Sequence, residues 1–222
     1  MSCIESEGVV ISEPRKIAEI LNNHFSTIYI GSKLAVKFNS GIKSFLPRTS
    51  NDNSTMNKFT LNPFEVQFAL KQLSQLKTNK AIGLDRISVR LLKDSAPVIA
   101  DGLTVLFNRS LDSGNFPLFW KCSKVSALFK SGDRCGPNNY RPISILPTIS
   151  KILERGVHMQ VYKYLNDHDI LTPKQFGFRP KMSTGVALAH FSDTILDNMD
   201  KGSVTGAVFL DLTKAFDTVD HQ

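Results

Sequence analysis

The 222-residue chain is 41% hydrophobic, with one Trp and fifteen Phe, the composition of a globular protein long enough to bury one core, or one core and part of another. No run reaches the eighteen apolar residues of a membrane span, and Met1 to Glu7 lacks the basic start and apolar stretch of a secretory leader, so the expectation is an intracellular protein, cytoplasmic or nuclear, with no membrane partner. The net charge of +7 is unevenly spread: residues 121–181 hold 11 basic and 4 acidic side chains, and residues 182–222 hold 2 and 6. That pattern suits either a polyanion-handling surface beside a carboxylate site or an ordinary solvated Lys/Arg face. Cys3, Cys122 and Cys135 are odd in number and widely spaced, with no Cys-x-x-Cys pair, which predicts reduced thiols and no structural zinc.

Residues 1–60 read as the end of something longer. Ser12 is placed to cap a helix with Pro14 in its first turn, and Ile17, Ile20, Leu21, Phe25 and Ile28 recur at helical spacing. Polar, turn-forming residues 39–41 and 49–55 then read as linker, with a domain boundary near residue 60. Beyond it, Asn62, Pro63 and Glu65 form a capping-box signal for a helix whose apolar face is Val66, Ala69, Leu70, Leu73 and Leu76. A connector over 78–86 has Gly83 for a tight bend among the cations Lys80 and Arg86, and by itself it reads as a surface turn. Val89, Leu91 and Leu92, then Val98 through Leu111, predict two core helices, the second ending at Gly114.

A strand-like run, Val125 to Lys130, a turn-rich segment and a returning strand, Tyr140 to Leu146, predict a hairpin. Pro142 confines the second strand to an edge or a bulge, because proline cannot donate to the ladder. The hairpin would bring Lys130 and Arg141 together, either as a triphosphate-binding pair, point charge plus fork, or as ordinary surface charges. An amphipathic helix from Ile149 to Leu165 reads as a packing element with Lys151, Arg155 and Lys163 on other faces. In residues 171–181 two Phe and three cations share eleven positions; such a segment stacks on bases while neutralising phosphates, or anchors a loop to a core. A helix over 184–200 then delivers the chain to Val204–Asp211, where alternation predicts a strand with Asp211 at its carboxyl end. A carboxylate there holds a divalent metal or caps a following helix.

The string Phe209-Leu210-Asp211-Leu212-Thr213-Lys214-Ala215-Phe216-Asp217 resembles motif A of reverse transcriptases of non-LTR (LINE-type) retrotransposons. Lys80-Ala81-Ile82-Gly83-Leu84-Asp85 is similar to the N-terminal extension of those polymerases. Leu128-Phe129-Lys130-Ser131-Gly132, with Asn139-Tyr140-Arg141-Pro142-Ile143-Ser144, resembles their paired fingers motifs, and Gln175-Phe176-Gly177-Phe178-Arg179 resembles the segment before motif A. The resemblance covers roughly residues 61–221. It implies RNA-directed DNA polymerisation aided by two Mg2+ ions, on an RNA template and a DNA primer with deoxynucleoside triphosphates. Asp211 and the Leu212 backbone carbonyl would be metal ligands, and Lys130 and Arg141 phosphate contacts. Phe216 would be the sugar-packing aromatic, and Lys80, Gln175, Gly177, Phe178 and Arg179 contacts to template or primer.

The fold class this implies is mixed α/β (α+β), an incomplete right-hand polymerase. Residues 1–60 would be a helical linker, 61–203 the N-terminal extension and fingers, and 204–222 the start of the palm. The family's site also uses a pair of adjacent aspartates, and no Asp-Asp occurs in these 222 residues; the rest of the palm and the thumb are missing too. The chain alone is therefore expected to be inactive. A non-catalytic nucleic-acid- or protein-binding relic of such an element, a broken reading frame that does not fold, and a group II intron maturase are the alternatives.

Overall fold

The computed structural model describes residues 3–30 and 59–211. In chain order the elements are β1 (Ile4–Ser6), β2 (Val9–Ile11), α1 (Pro14–Ile30), α2 (Val66–Ser74), α3 (Val89–Asp94), α4 (Ala96–Ser113), α5 (Leu118–Lys121), β3 (Lys124–Phe129), β4 (Tyr140–Ile145), α6 (Thr148–Asp167) and α7 (Thr184–Asp200). Among the described residues the result is a mixed helix-and-strand fold with two small antiparallel sheets, β1–β2 and β3–β4. Among the described residues one compact unit runs to Met159 and a second begins at Gln160.

The main core of the first unit forms where helical periodicity brings apolar stripes together. On α4, Ala96, Ala100, Leu103 and Phe107 recur every three or four residues and are buried. They meet Ala69 and Leu73 of α2, Leu92 of α3, and Ile152 and Leu153 of α6. Phe107 is fully buried, edge-on to Phe64 (6.3 Å between centroids) and to Trp120 (6.0 Å). Gly114, at φ 64°, ends α4 in the left-handed conformation, which glycine adopts without steric cost. The helix over 184–200 is present as α7, capped by Ser183, whose Oγ accepts from Val186 N–H at 3.3 Å.

Gly156 and Gly102 show how space decides the effect of a methyl group. Gly156 of α6 lies beneath the stacked Phe64 and Phe68 rings, and a Cβ there would sit 2.5 Å from Phe64 and 2.8 Å from Phe68. Gly102 of α4 has nothing within 4 Å of that position. Gly102→Ala is expected to stabilise by about 0.5–1 kcal/mol through helix propensity. Gly156→Ala is expected to destabilise by about 1–2 kcal/mol net, because overpacking two rings outweighs the propensity gain. Urea midpoints of the two variants check the opposite signs.

A second cluster joins α1 to the β3–β4 hairpin: Ile17, Leu21 and Phe25, one turn apart, bury against Tyr140 and Ile4, with Ala127 and Phe129 beside them. Residues 4–25 thus share a core with the hairpin, and both lie in the first unit. The linker residues 39–55 lie outside the described residues.

Three sequence expectations are corrected. Cys3 and Cys135 are joined in a disulfide with Cα atoms 5.3 Å apart, leaving Cys122 as the free thiol; α1 packing on the hairpin brings the two ends into reach, which a separation of 132 residues conceals. The Asn62 capping box does not form: α2 begins at Val66, with Glu65 extended before it. The Asn108 side-chain amide takes the backbone of Phe64 instead, accepting from its N–H at 2.7 Å and donating to its carbonyl at 3.0 Å. Gly83 does open the bend the sequence predicts, its carbonyl accepting from Arg86 N–H at 3.3 Å, and it also serves close approach, since a Cβ on it would lie 2.9 Å from Pro147 N. Residues 204–211 form no strand, because a strand needs a ladder partner for its backbone groups and no described strand pairs with them.

Candidate nucleic-acid interface

The β3–β4 register pairs Leu128 with Arg141 and Phe129 with Tyr140. Cross-strand partners share a face and alternate residues switch faces, so Phe129 and Tyr140 turn toward α1 while Lys130, Leu128 and Arg141 lie together on the other face. Lys130 and Arg141 are both exposed and stand at the loop end of the ladder. The loop between them is closed by its own hydrogen bonds. Lys130 N–H donates to Asn139 O at 2.8 Å, Asn139 Nδ2 to Asp133 O at 2.8 Å, Cys135 N–H to Asp133 Oδ1 at 3.0 Å, and the Tyr140 hydroxyl to Arg134 O at 2.6 Å. The Arg134 guanidinium lies 4.6 Å over the Phe129 ring. The two candidate phosphate contacts are therefore carried on a fixed frame, with the β1–β2 hairpin tied to it by the disulfide and by Glu5 N–H donating to Cys135 O at 2.7 Å.

The connector carrying Lys80 is seated by Gly83, which touches the backbone of Leu146 and Pro147 at the junction of β4 and α6. Lys80 lines a cavity of about 550 Å³ that is also lined by Lys77, Lys151 and Arg155. Sequence periodicity left Lys151 and Arg155 on a packing helix. Two like charges at i and i+4, a pairing that weakens a helix unless something else uses it, were the available signal.

In the second unit, residues 172–179 form a self-closed loop. Arg179 Nη1 donates to Thr172 O at 2.8 Å, and Gln175 Nε2 to Gly177 O at 3.2 Å. Phe178, at φ 57°, is 89% exposed, while Phe176 packs on His190 with centroids 5.6 Å apart. A bulky residue held in the left-handed region is strained, and here the strain presents a ring outward. Arg179 thus shapes the loop, with a backbone carbonyl as its partner.

Asp211 is exposed at the end of the irregular segment 204–211, which is tied to α7 by Asn198 donating to Thr205 Oγ1 at 3.0 Å and by Phe209 edge-on to Phe191 at 5.8 Å. Leu212 and Phe216 lie outside the described residues. Among the described residues no group of three or more His, Cys, Asp or Glu side chains could hold a metal. Asp211 is a hard oxygen donor suited to Mg2+, but one carboxylate is only part of the set such an ion needs. No helix among the described residues is long and apolar enough to cross a membrane.

Residues 128–222, which include β3's end, the hairpin loop, β4 and Asp211, match the reverse transcriptase (RNA-dependent DNA polymerase) family. This part of the chain belongs to the reverse transcriptases. The chain is 33% identical over 162 residues to the probable RNA-directed DNA polymerase from transposon X-element of Drosophila melanogaster, a match covering 72% of this chain and 18% of the relative. It is 33% identical over 153 residues to the RNA-directed DNA polymerase from mobile element jockey of the same fly, covering 67% and 16%. Against the Pol polyprotein of type-1 retrotransposable element R2 of Popillia japonica it is 32% identical over 140 residues, covering 58% and 19%. The chain therefore spans less than a fifth of the length of these reverse transcriptase relatives, which come from non-LTR elements.

Proposed function

We propose that this chain supplies the fingers and the first part of the palm of an RNA-directed DNA polymerase of a non-LTR retrotransposon, acting inside the cell on an RNA template, a DNA primer and deoxynucleoside triphosphates. In this reading residues 1–60 precede the polymerase, 61–203 are its N-terminal extension and fingers, and 204–222 open the palm. The observation that carries it is the hairpin register, which sets Lys130 and Arg141 on one exposed face within the reverse transcriptase match. A lysine ammonium beside an arginine fork suits the oxygens of a triphosphate, because one is a compact charge and the other a planar bidentate donor.

Asp211, with the Leu212 carbonyl, would hold Mg2+, which supplies charge neutralisation at the reacting phosphate. Phe216 would pack under the nucleotide sugar, and Lys80, Gln175, Gly177, Phe178 and Arg179 would meet template or primer. Gln175 and Arg179 would do so chiefly by holding the loop that presents the Phe178 ring for stacking. With one carboxylate of the site and no Asp-Asp pair, the chain alone would bind without polymerising.

Binding of a fluorescent deoxynucleoside triphosphate is expected to weaken about tenfold or more in Lys130→Ala and in Arg141→Ala, each losing a charge-assisted contact of about 1.5–3 kcal/mol. Unchanged affinity in both variants would remove the hairpin from the nucleotide site.

A further inference from the structure

Cys135 lies in the loop that joins β3 to β4, between the two candidate phosphate contacts, Lys130 and Arg141. Two routes of hydrogen bonds run from its neighbourhood to those cations. On one side Cys135 N–H donates to Asp133 Oδ1 at 3.0 Å, Asn139 Nδ2 to Asp133 O at 2.8 Å, and Lys130 N–H to Asn139 O at 2.8 Å. On the other, the carbonyl of Arg134, next to Cys135 in sequence, accepts from the Tyr140 hydroxyl at 2.6 Å, and Tyr140 directly precedes Arg141. The Asn139 amide fills the loop so closely that a Cβ on Gly132 or on Gly136 would stand 3.0 or 2.8 Å from its Nδ2. The loop is one packed piece, so a shift of Cys135 reaches both cations.

From outside the loop, Cys135 is held by the segment that carries β1 and β2. Cys3 is bonded to it through sulfur with Cα atoms 5.3 Å apart, and Glu5 N–H donates to its carbonyl at 2.7 Å. Ile4 is fully buried in the cluster that contains Tyr140. β1 and β2 have three residues each, too few to keep this position by themselves. Both cysteines are half-buried, within reach of a small thiol. A reducing compartment keeps disulfides scarce, and those that form there serve as transient or redox-sensing bonds.

We infer that Cys3 and Cys135 form a thiol–disulfide switch that sets the nucleotide affinity of the Lys130–Arg141 hairpin. The inference rests on the polymerase reading above, which places a triphosphate at those cations and the chain inside the cell, and adds regulation to that site. In the oxidising direction one cysteine thiolate attacks a small-molecule disulfide such as glutathione disulfide and expels one small thiolate. The other cysteine thiolate then displaces the second small thiolate and closes the Cys3–Cys135 bond. The two protein thiols lose two electrons and two protons in all, and the small disulfide takes them up as two thiols. Oxidised, the bond holds β1–β2 on the loop and Lys130 and Arg141 stand pre-ordered. Reduced, the loop gains freedom that triphosphate binding must remove, so affinity falls.

The test is titration of a fluorescent deoxynucleoside triphosphate against the full chain carrying Cys122→Ser, which removes the free thiol, in its oxidised and reduced forms. Reduction is expected to weaken binding about tenfold, and glutathione disulfide is expected to restore it. Adding Cys3→Ser should give the affinity of the reduced form with or without reductant. Trp120 fluorescence, which reports the core around Phe107, should stay that of the folded chain throughout. Equal or tighter binding by the reduced form, with Lys130→Ala weakening both forms, overturns the switch and leaves the hairpin reading standing. Affinity that ignores Lys130→Ala and Arg141→Ala overturns the hairpin reading and the switch with it. A loss on reduction that tracks Trp120 fluorescence, or that persists in Cys3→Ser, also overturns the switch, because unfolding or the reductant itself is then the cause.

Discussion

Phe107→Ala is expected to cost the first unit about 3–5 kcal/mol, the range for emptying a buried aromatic site. Phe107 has no exposed surface and joins Phe64, itself anchored by Asn108, to Trp120. Its loss leaves a cavity that neither α2 nor α4 can close without breaking the Ala69–Leu73 and Ala96–Ala100 contacts. Domains of this kind have about 5–15 kcal/mol in total, so the variant should unfold at a small fraction of the urea required by the parent. Trp120 is the only tryptophan and touches this ring, which makes its fluorescence the direct readout. Val98→Ala on the same helix, at a side chain 83% exposed, should move the midpoint by no more than about 0.5 kcal/mol.

Breaking the Cys3–Cys135 disulfide is expected to cost about 2–4 kcal/mol, whether by Cys3→Ser or by a reducing agent. Strands of three residues, as in β1–β2, are too short to persist by themselves. The bond holds them on the hairpin loop together with the buried Ile4 side chain and the Glu5 to Cys135 hydrogen bond. Thiol titration checks the premise: the oxidised chain should show one reactive thiol, Cys122, and the reduced chain three. Urea unfolding with and without reductant then gives the cost, and an unchanged midpoint would show that Ile4 and α1 suffice to hold the segment.

The parts of the fold that depend on local chemistry were legible in the residues. The stop of α4 at Gly114 follows from glycine's access to positive φ, and the start of α7 from Ser183 as a cap. The β3–β4 hairpin follows from two β-rich runs around a turn-forming segment. What was not legible depends on partners distant in sequence. Asn62, Pro63 and Glu65 make a sound capping signal, yet Asn108, 44 residues beyond Phe64, satisfies that backbone in an extended form and delays α2 to Val66. The Val204–Asp211 alternation is a strand pattern with no described neighbour to complete its ladder. The seat of Gly83 on Pro147 and the pairing of Cys3 with Cys135 required the tertiary fold. At the site, the nearness of Lys130 and Arg141 follows from hairpin register alone, whereas Lys151 and Arg155 look like a solvated helix face until the connector is docked beside them.

Primer extension tests most directly the proposal that Asp211 stands in the catalytic position of a reverse transcriptase. Residues 61–222 would replace the corresponding stretch of a full-length non-LTR reverse transcriptase, with the unaltered graft as reference on an RNA template with Mg2+. The expected result is incorporation that falls about a thousandfold or more in Asp211→Asn, and none by the 222-residue chain alone. Incorporation undiminished in Asp211→Asn, with the graft active, would contradict the account.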